Sequence, residues 1–261
     1  MVNEALHEHG PAQAAKDDRL TREGTSTNRN GRKILDTTKG EAMNREDLDW
    51  FLSEFGYPSA HQKVGSGDIE KYRCKLPDAL LSFWERFGFC GFQDGLFWVV
   101  NPSCYEDILR EWISDTDLVR EDNYYVIARN AFGDLYLWGE KTGGKYKIVP
   151  RYGWILPRPD DRYLIEKGEA DDALSSFFGD REPQDMDTKD RNGRPLFKQA
   201  LRKLGPLDVD EVFGFKPALI VSNQALLENI NRVNIFAHLS FLAQLGERTV
   251  MTADALANAA G

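Results

Sequence analysis

Cysteine and histidine are scarce in this chain, and long apolar runs are missing. Three cysteines, Cys74, Cys90 and Cys104, form no CxxC pair. That excludes a disulfide framework and a thiolate zinc site, and their aromatic and aliphatic neighbours predict reduced, buried thiols. Of the four histidines, His7 and His9 lie near the N-terminus, His61 in a loop, and His238 beside apolar residues of a predicted helix. No HExxH, Cys/His zinc spacing or GxSxG elbow occurs, and His238 reads as a packing residue. The longest apolar runs, such as Leu96 to Val100 and Ala218 to Val221, are far shorter than a membrane-crossing helix needs. Glu4, His7, Glu8 and His9 interrupt the N-terminus where a secretory signal would be apolar, so a cytoplasmic protein is expected.

What the chain does have is aromatic mass and acid. Its 261 residues include six Trp, fifteen Phe and nine Tyr, ample for a core. Against 33 Lys+Arg stand 42 Asp+Glu, a formal charge of -9. An acidic surface repels nucleic acid and anionic membrane and favours a basic protein partner. Residues 1–42 carry seven basic and seven acidic side chains and a polar stretch from Thr21 to Arg32. They are expected to form a disordered extension, with Met43 suited to be an alternative start.

From Asn44 the pattern becomes periodic. Leu48, Phe51, Leu52 and Phe55 mark a first helix ended by Gly56, and Leu80, Phe83, Trp84 and Phe87 a second, opened by Pro77 and ended by Gly88. Between them, Ile69 to Arg73 reads as strand-like. Leu96 to Val100 reads as a buried strand, and Ser103 as the cap of a helix bearing Tyr105, Ile108, Leu109 and Trp112. Tyr124–Arg129, Leu135–Trp138 and Tyr146–Val149 are separated by turn formers and predict an antiparallel meander, with Trp154 and Ile155 on a further strand. Farther on, a helix is expected over Pro195–Leu204, an extended piece at Ala218–Val221 and a helix from Ile235 to Leu245. The fold class expected is α+β: a mixed or antiparallel sheet with packed helices, then a smaller, mainly helical C-terminal part. The boundaries expected are a domain over 43–157, an acidic linking region over 158–190, a C-terminal domain over 191–248 and a tail over 249–261.

Catalytic chemistry finds little support. Gly139 to Lys145 fits the glycine and lysine spacing of a phosphate loop, but Tyr146 replaces the metal-binding hydroxyl and the segment joins two predicted strands, which suits a hairpin. The pairs Asp160-Asp161 and Asp171-Asp172 lack a supporting His or glycine loop and read as solvated acids, though a hydrolase built on the acids between Asp160 and Asp187 is the enzymatic alternative. No catalytic residue, metal ligand, cofactor or small-molecule substrate is expected.

Leu76-Pro77-Asp78-Ala79-Leu80 through Trp84, Phe87-Gly88, Gly95-Leu96-Phe97-Trp98 and Asn101-Pro102 resemble the opening of bacterial GAD-like domain proteins. Ala128 to Asp134 followed by Leu135-Tyr136-Leu137-Trp138 is similar to that family's hairpin. Near the end, Gly205-Pro206-Leu207, Asp210 to Phe215, Pro217-Ala218-Leu219 and Leu239 to Gly246 resemble the C-terminal domain of immunity proteins paired with type VI secretion DNase effectors. Ser222-Asn223 stands where relatives tend to carry a glycine pair. The resemblance implies a non-enzymatic antitoxin that binds a cognate DNase effector and occludes its DNA-binding or active surface; the alternative is an interaction or regulatory module of the same fold with another protein ligand.

The acids of residues 158–190, eleven against five bases, are then the expected recognition surface. Asp160, Asp161, Glu169, Asp171, Asp172, Asp180, Glu182, Asp185 and Asp187 are the candidate interface acids, with Tyr152 and Trp154 as aromatic anchors.

Overall fold

The computed structural model describes residues 43–252; the extension expected over 1–42 and all but the first few residues of the expected tail lie outside that range. The side chain of Asn44 accepts the Glu46 N–H at 3.0 Å and opens α1 (Arg45–Phe55), whose spacing buries Phe51 and Phe55. After β1 (Ala60–Gln62) comes α2 (Ser66–Tyr72), where a strand-like piece was expected. Asp68 accepts the Gly65 N–H at 3.0 Å and closes its first turn, and Ile69 and Tyr72, three apart, share its buried side. Next, α3 (Asp78–Phe87) begins after Pro77 and stops at Gly88, whose φ of 77° lies in the left-handed region that glycine tolerates.

The chain then runs through β2 (Phe89–Phe92), β3 (Phe97–Val99), α4 (Glu106–Ile113), α5 (Leu118–Glu121), β4 (Tyr124–Asn130), β5 (Leu135–Gly139), β6 (Tyr146–Val149) and β7 (Trp154–Pro157). Ser103 does not cap α4: Asn101 accepts the Ser103 N–H at 3.0 Å and caps a 3-10 turn ahead of it. Beyond β7 lie α6 (Arg162–Glu166), α7 (Ala170–Gly179), α8 (Phe197–Leu204), β8 (Glu211–Phe215), α9 (Leu219–Ser222), β9 (Ile230–Asn234), α10 (Ile235–Ala243) and β10 (Thr249–Val250). The piece at Ala218–Val221 is thus a helical turn, not extended. It ends at Asn223 with φ 48°, a backbone that favours glycine and that asparagine tolerates, so the missing glycine pair has a structural substitute.

The strands form one eight-stranded sheet in the order β1-β2-β3-β4-β5-β6-β7-β10, antiparallel except for the β7–β10 pair, and β8 and β9 make a separate hairpin. This is the α+β architecture expected, with α8, α9 and α10 supplying a mainly helical C-terminal part. Helices cover both sheet faces. On one, α1, α3 and α7 pack on Phe92, Phe97, Tyr136 and Trp138; on the other, α4 and α10 pack on Val126, Leu135, Leu137, Ile148 and Ile155.

Two expectations are corrected here. Residues 158–190 are folded into this unit, because α7 buries Leu174, Phe177 and Phe178 against α1 and α3; Phe178 stacks on Phe83 at 5.3 Å and meets Phe51 edge-on at 5.1 Å. A short helical stretch near Leu174 to Phe178 is legible in the sequence, but composition averaged over the acidic region conceals that its apolar side belongs to the core. Of the cysteines only Cys90 is buried, its thiol pushed up to about 12 by desolvation, while Cys74 and Cys104 are exposed. Thr249 and Val250 of the expected tail extend the sheet edge beside Trp154 and Ile155.

Candidate partner-binding surface

The apparent phosphate loop is a hairpin whose donors are already engaged. Gly139 and Gly143 exchange backbone hydrogen bonds of 2.9 and 3.0 Å, and the Asp122 carboxylate accepts the Lys141 N–H (2.7 Å), the Thr142 N–H (2.8 Å) and the Thr142 hydroxyl (2.8 Å). A protein carboxylate thus fills the place an anionic ligand would take. His238 is neutral: burial and the charge of Lys216 push its pKa from 6.5 down to about 4, and it packs against Gly214. Among the described residues no group of His, Cys, Asp and Glu has the geometry to hold a metal ion. A groove of about 570 Å³ between β1, α2 and α3 is lined by His61, Trp84, Glu85 and Phe87.

The candidate acids divide by where their oxygens point. Asp160 accepts the Arg162 N–H at 2.9 Å and pairs with Lys145 at 3.2 Å, while Asp161 accepts the Gly144 N–H at 2.8 Å; both tie α6 to the β5–β6 hairpin. The Asp171 carboxylate accepts the Ala79 N–H at 2.9 Å and so caps α3 from 92 residues away. Asp187 accepts the N–H groups of Thr188, Leu196 and Phe197 at 2.7, 3.1 and 2.8 Å, holding the start of α8. Burial raises the carboxyls of Asp161, Asp171 and Asp187 despite these hydrogen bonds. These four acids bind the protein's own backbone. Glu169 is half-buried at the start of α7, and Asp172, Asp180, Glu182 and Asp185 are exposed. Those four form the outward acidic set, along α7 and the turn that follows.

The aromatic candidates sit at the far edge of the sheet. The Tyr152 and Trp154 rings pack together tilted by 32° with centroids 4.8 Å apart, Tyr152 half-buried and Trp154 38% exposed. Arg151 lies over the Tyr152 ring at 5.2 Å. Val250 pairs beside β7 and Val221 projects from α9, which lies against the turn carrying Tyr152; both are exposed. A part-exposed tryptophan and tyrosine beside arginine is the composition of an interface centre. Sequence reading did not single out Lys147, Arg151, Arg158 or Arg181, which gather near Tyr136 on the face of the sheet that α7 covers. The one available signal was Lys147, set between Tyr146 and Ile148 in a strand with no solvent face.

The architecture thus defines an α+β protein whose sheet is sandwiched between helices and whose exposed acids and aromatics suit a protein ligand. Residues 46–151 match the GAD-like domain, and residues 171–246 match the T6SS immunity protein Tdi1, C-terminal. The chain thus joins a segment that matches the GAD-like domain to one that matches the C-terminal domain of the Tdi1 immunity family. Among solved structures it is similar to Atu4351 from Agrobacterium tumefaciens, at 22% identity and a TM-score of 0.67, over 78% of this chain and 91% of that one. That likeness concerns the fold. No curated protein matches the chain. The immunity family implies a toxin as partner and a binding role, and among the described residues no helix is long and apolar enough to cross a membrane.

Proposed function

We propose that the protein neutralises a type VI secretion DNase effector in the bacterial cytoplasm by binding it and occluding its DNA-binding or active surface. The observation that carries this reading is the immunity-family match over 171–246, a segment in which Asp172, Asp180, Glu182 and Asp185 face solvent. A nuclease draws phosphates with Lys and Arg, so outward carboxylates steer its basic surface and compete with DNA there. The Tyr152–Trp154 pair is placed to supply apolar contact area, which governs how slowly a complex dissociates.

Co-expression with the candidate effector tests the function: growth rescue with recovery of a stable complex supports it, and continued DNA degradation despite equal expression refutes it. For the surface, a variant carrying Asp172→Asn, Asp180→Asn, Glu182→Gln and Asp185→Asn should associate more slowly at low salt, the deficit shrinking as salt screens the charges. Unchanged association at both salts would remove the acids from the interface while leaving neutralisation standing.

A further inference from the structure

Buried arginines ordinarily spend most of their donors, and Arg129 leaves only its Nε unpartnered. It is fully buried, stacks on Trp98 at 4.8 Å and reaches the carbonyls of Asn130, Asp208 and Val209 at 3.4, 3.3 and 3.0 Å. Arg181 is different. It is 4% exposed and packs in the corner between the Tyr136 and Phe177 rings, 4.8 and 4.1 Å away, which meet edge-on, yet its Nε and Nη2 have no hydrogen-bond partner among the described residues. Leaving a charged donor buried and unpaired is costly, and such groups call for a missing ligand.

Other cations surround it. Lys147, opposite Tyr136 in the β5–β6 register, projects from the same sheet face and lies over that ring at 5.8 Å. Arg151 comes from the turn after β6, with its own Nε buried and unpartnered, and Arg158 from the end of β7. Lys147 is within electrostatic reach of Arg151, Arg158 and Arg181. One buried carboxylate, Asp134, answers this set: it pairs with Arg151 and lies 3.6 Å from Lys147. Asp161, Asp180 and Asp185 are near enough to act on Arg158 or Arg181 at a distance, but neither arginine makes an ion pair within the described residues. Like charges gathered around one directly paired carboxylate repel, and an anion among them relieves that repulsion.

We propose that Lys147, Arg151, Arg158 and Arg181 form a binding site for a small tetrahedral oxyanion of the phosphate class. The stacked guanidinium of Arg181 offers fixed in-plane donors, the geometry that suits phosphate oxygens. Two of the four cations, Arg158 and Arg181, hold no ion pair among the described residues, which suits a doubly charged anion. Side-chain exposures of 22% for Lys147 and 14% for Arg151 keep the cluster largely enclosed, out of reach of a nucleic-acid backbone. The site is independent of the proposed DNase target.

Thermal unfolding and calorimetric titration of the full chain with inorganic phosphate, against sodium chloride and acetate at matched ionic strength, test the site. Phosphate should raise the melting temperature by at least about 3 °C beyond either control. Arg181→Gln should weaken phosphate binding by about tenfold or more. Arg158→Gln should weaken it too; that side chain is part-exposed and holds no ion pair, so the variant keeps the fold. Competition by adenosine 5′-monophosphate distinguishes an esterified phosphate, which displaces the probe, from a free anion, which the nucleotide cannot replace. Phosphate no more effective than chloride, or both variants retaining the full phosphate response, would overturn the assignment.

Discussion

Replacing Asp187 by alanine is expected to destabilise the protein strongly, whereas asparagine at the same place is expected to be tolerated. All three N–H donors, from Thr188, Leu196 and Phe197, converge on the Oδ1 oxygen. Leu196 has a second acceptor, the Thr188 carbonyl at 2.9 Å, so alanine strands two backbone donors, on residues that are both buried. At about 1–2 kcal/mol for each buried donor left unmet, the loss is about 2–4 kcal/mol. For a domain of this size that lowers the melting temperature by roughly 5–15 °C. Asparagine keeps an oxygen in the same position and removes only the charge. Because burial raises the Asp187 carboxyl, the fold prefers its protonated form. Its stabilisation is full below the unfolded carboxylate pKa and is lost as pH rises through the raised folded value. Asp187→Asn, uncharged throughout, should match the wild type near pH 3.5 and be equal or more stable at pH 7, the window set by the ordinary carboxylate pKa of about 3.9. Urea unfolding at the two pH values measures both variants. If asparagine proves as damaging as alanine at pH 7, the charge and not the shared acceptor holds the start of α8, and the reasoning fails.

Asp171 and its neighbour Asp172 should part company: Asp171→Ala loses the cap on α3 and costs about 1 kcal/mol, while Asp172→Ala stays within about 0.5 kcal/mol of wild type, both by chemical denaturation. Equal effects would contradict the inward and outward placement of the two carboxylates. His238, pushed from 6.5 to about 4 by burial and Lys216, contributes stability that is present above pH 6.5 and is lost as pH falls toward 4; His238→Gln should flatten that part of the profile, and an unchanged profile would count against it. Gly214→Ala should destabilise, since a Cβ there would lie 2.8 Å from Val233 and 2.9 Å from the His238 ring; an unchanged melting temperature would show that those side chains move aside.

Where local periodicity and burial coincide, the sequence was readable. In α1, α3, α4 and α10 the apolar positions recur at helical spacing and face a core, and the meander from β4 to β7 is punctuated by turn residues. Reading failed where partners distant in sequence decide the outcome. β9 is a polar stretch, Ile-Asn-Arg-Val-Asn, and becomes a strand because Glu211–Phe215 lies beside it. The carboxylates of Asp171 and Asp187 look like neighbouring solvated acids in sequence, yet the backbone N–H groups they accept lie in other elements. Arg181 offered little local sign of burial, because beyond Phe177 of α7 its surroundings come from the sheet, from Tyr136 of β5 and the cations beside it.

The placement of α7 and α10 on opposite sides of the sheet bears on how such proteins diversify. Both helices fall within the immunity-family match, yet each completes a core whose other wall belongs to the GAD-like segment. Cutting the gene between the two would leave the first half with two open apolar faces and the second with no sheet to lie on. New specificities cannot then arise by shuffling either half as a cassette. They must accumulate as point changes on the outer skin, where the residues proposed to meet the partner, such as Trp154, Asp180 and Asp185, are exposed, while the inner seams stay matched across the whole chain.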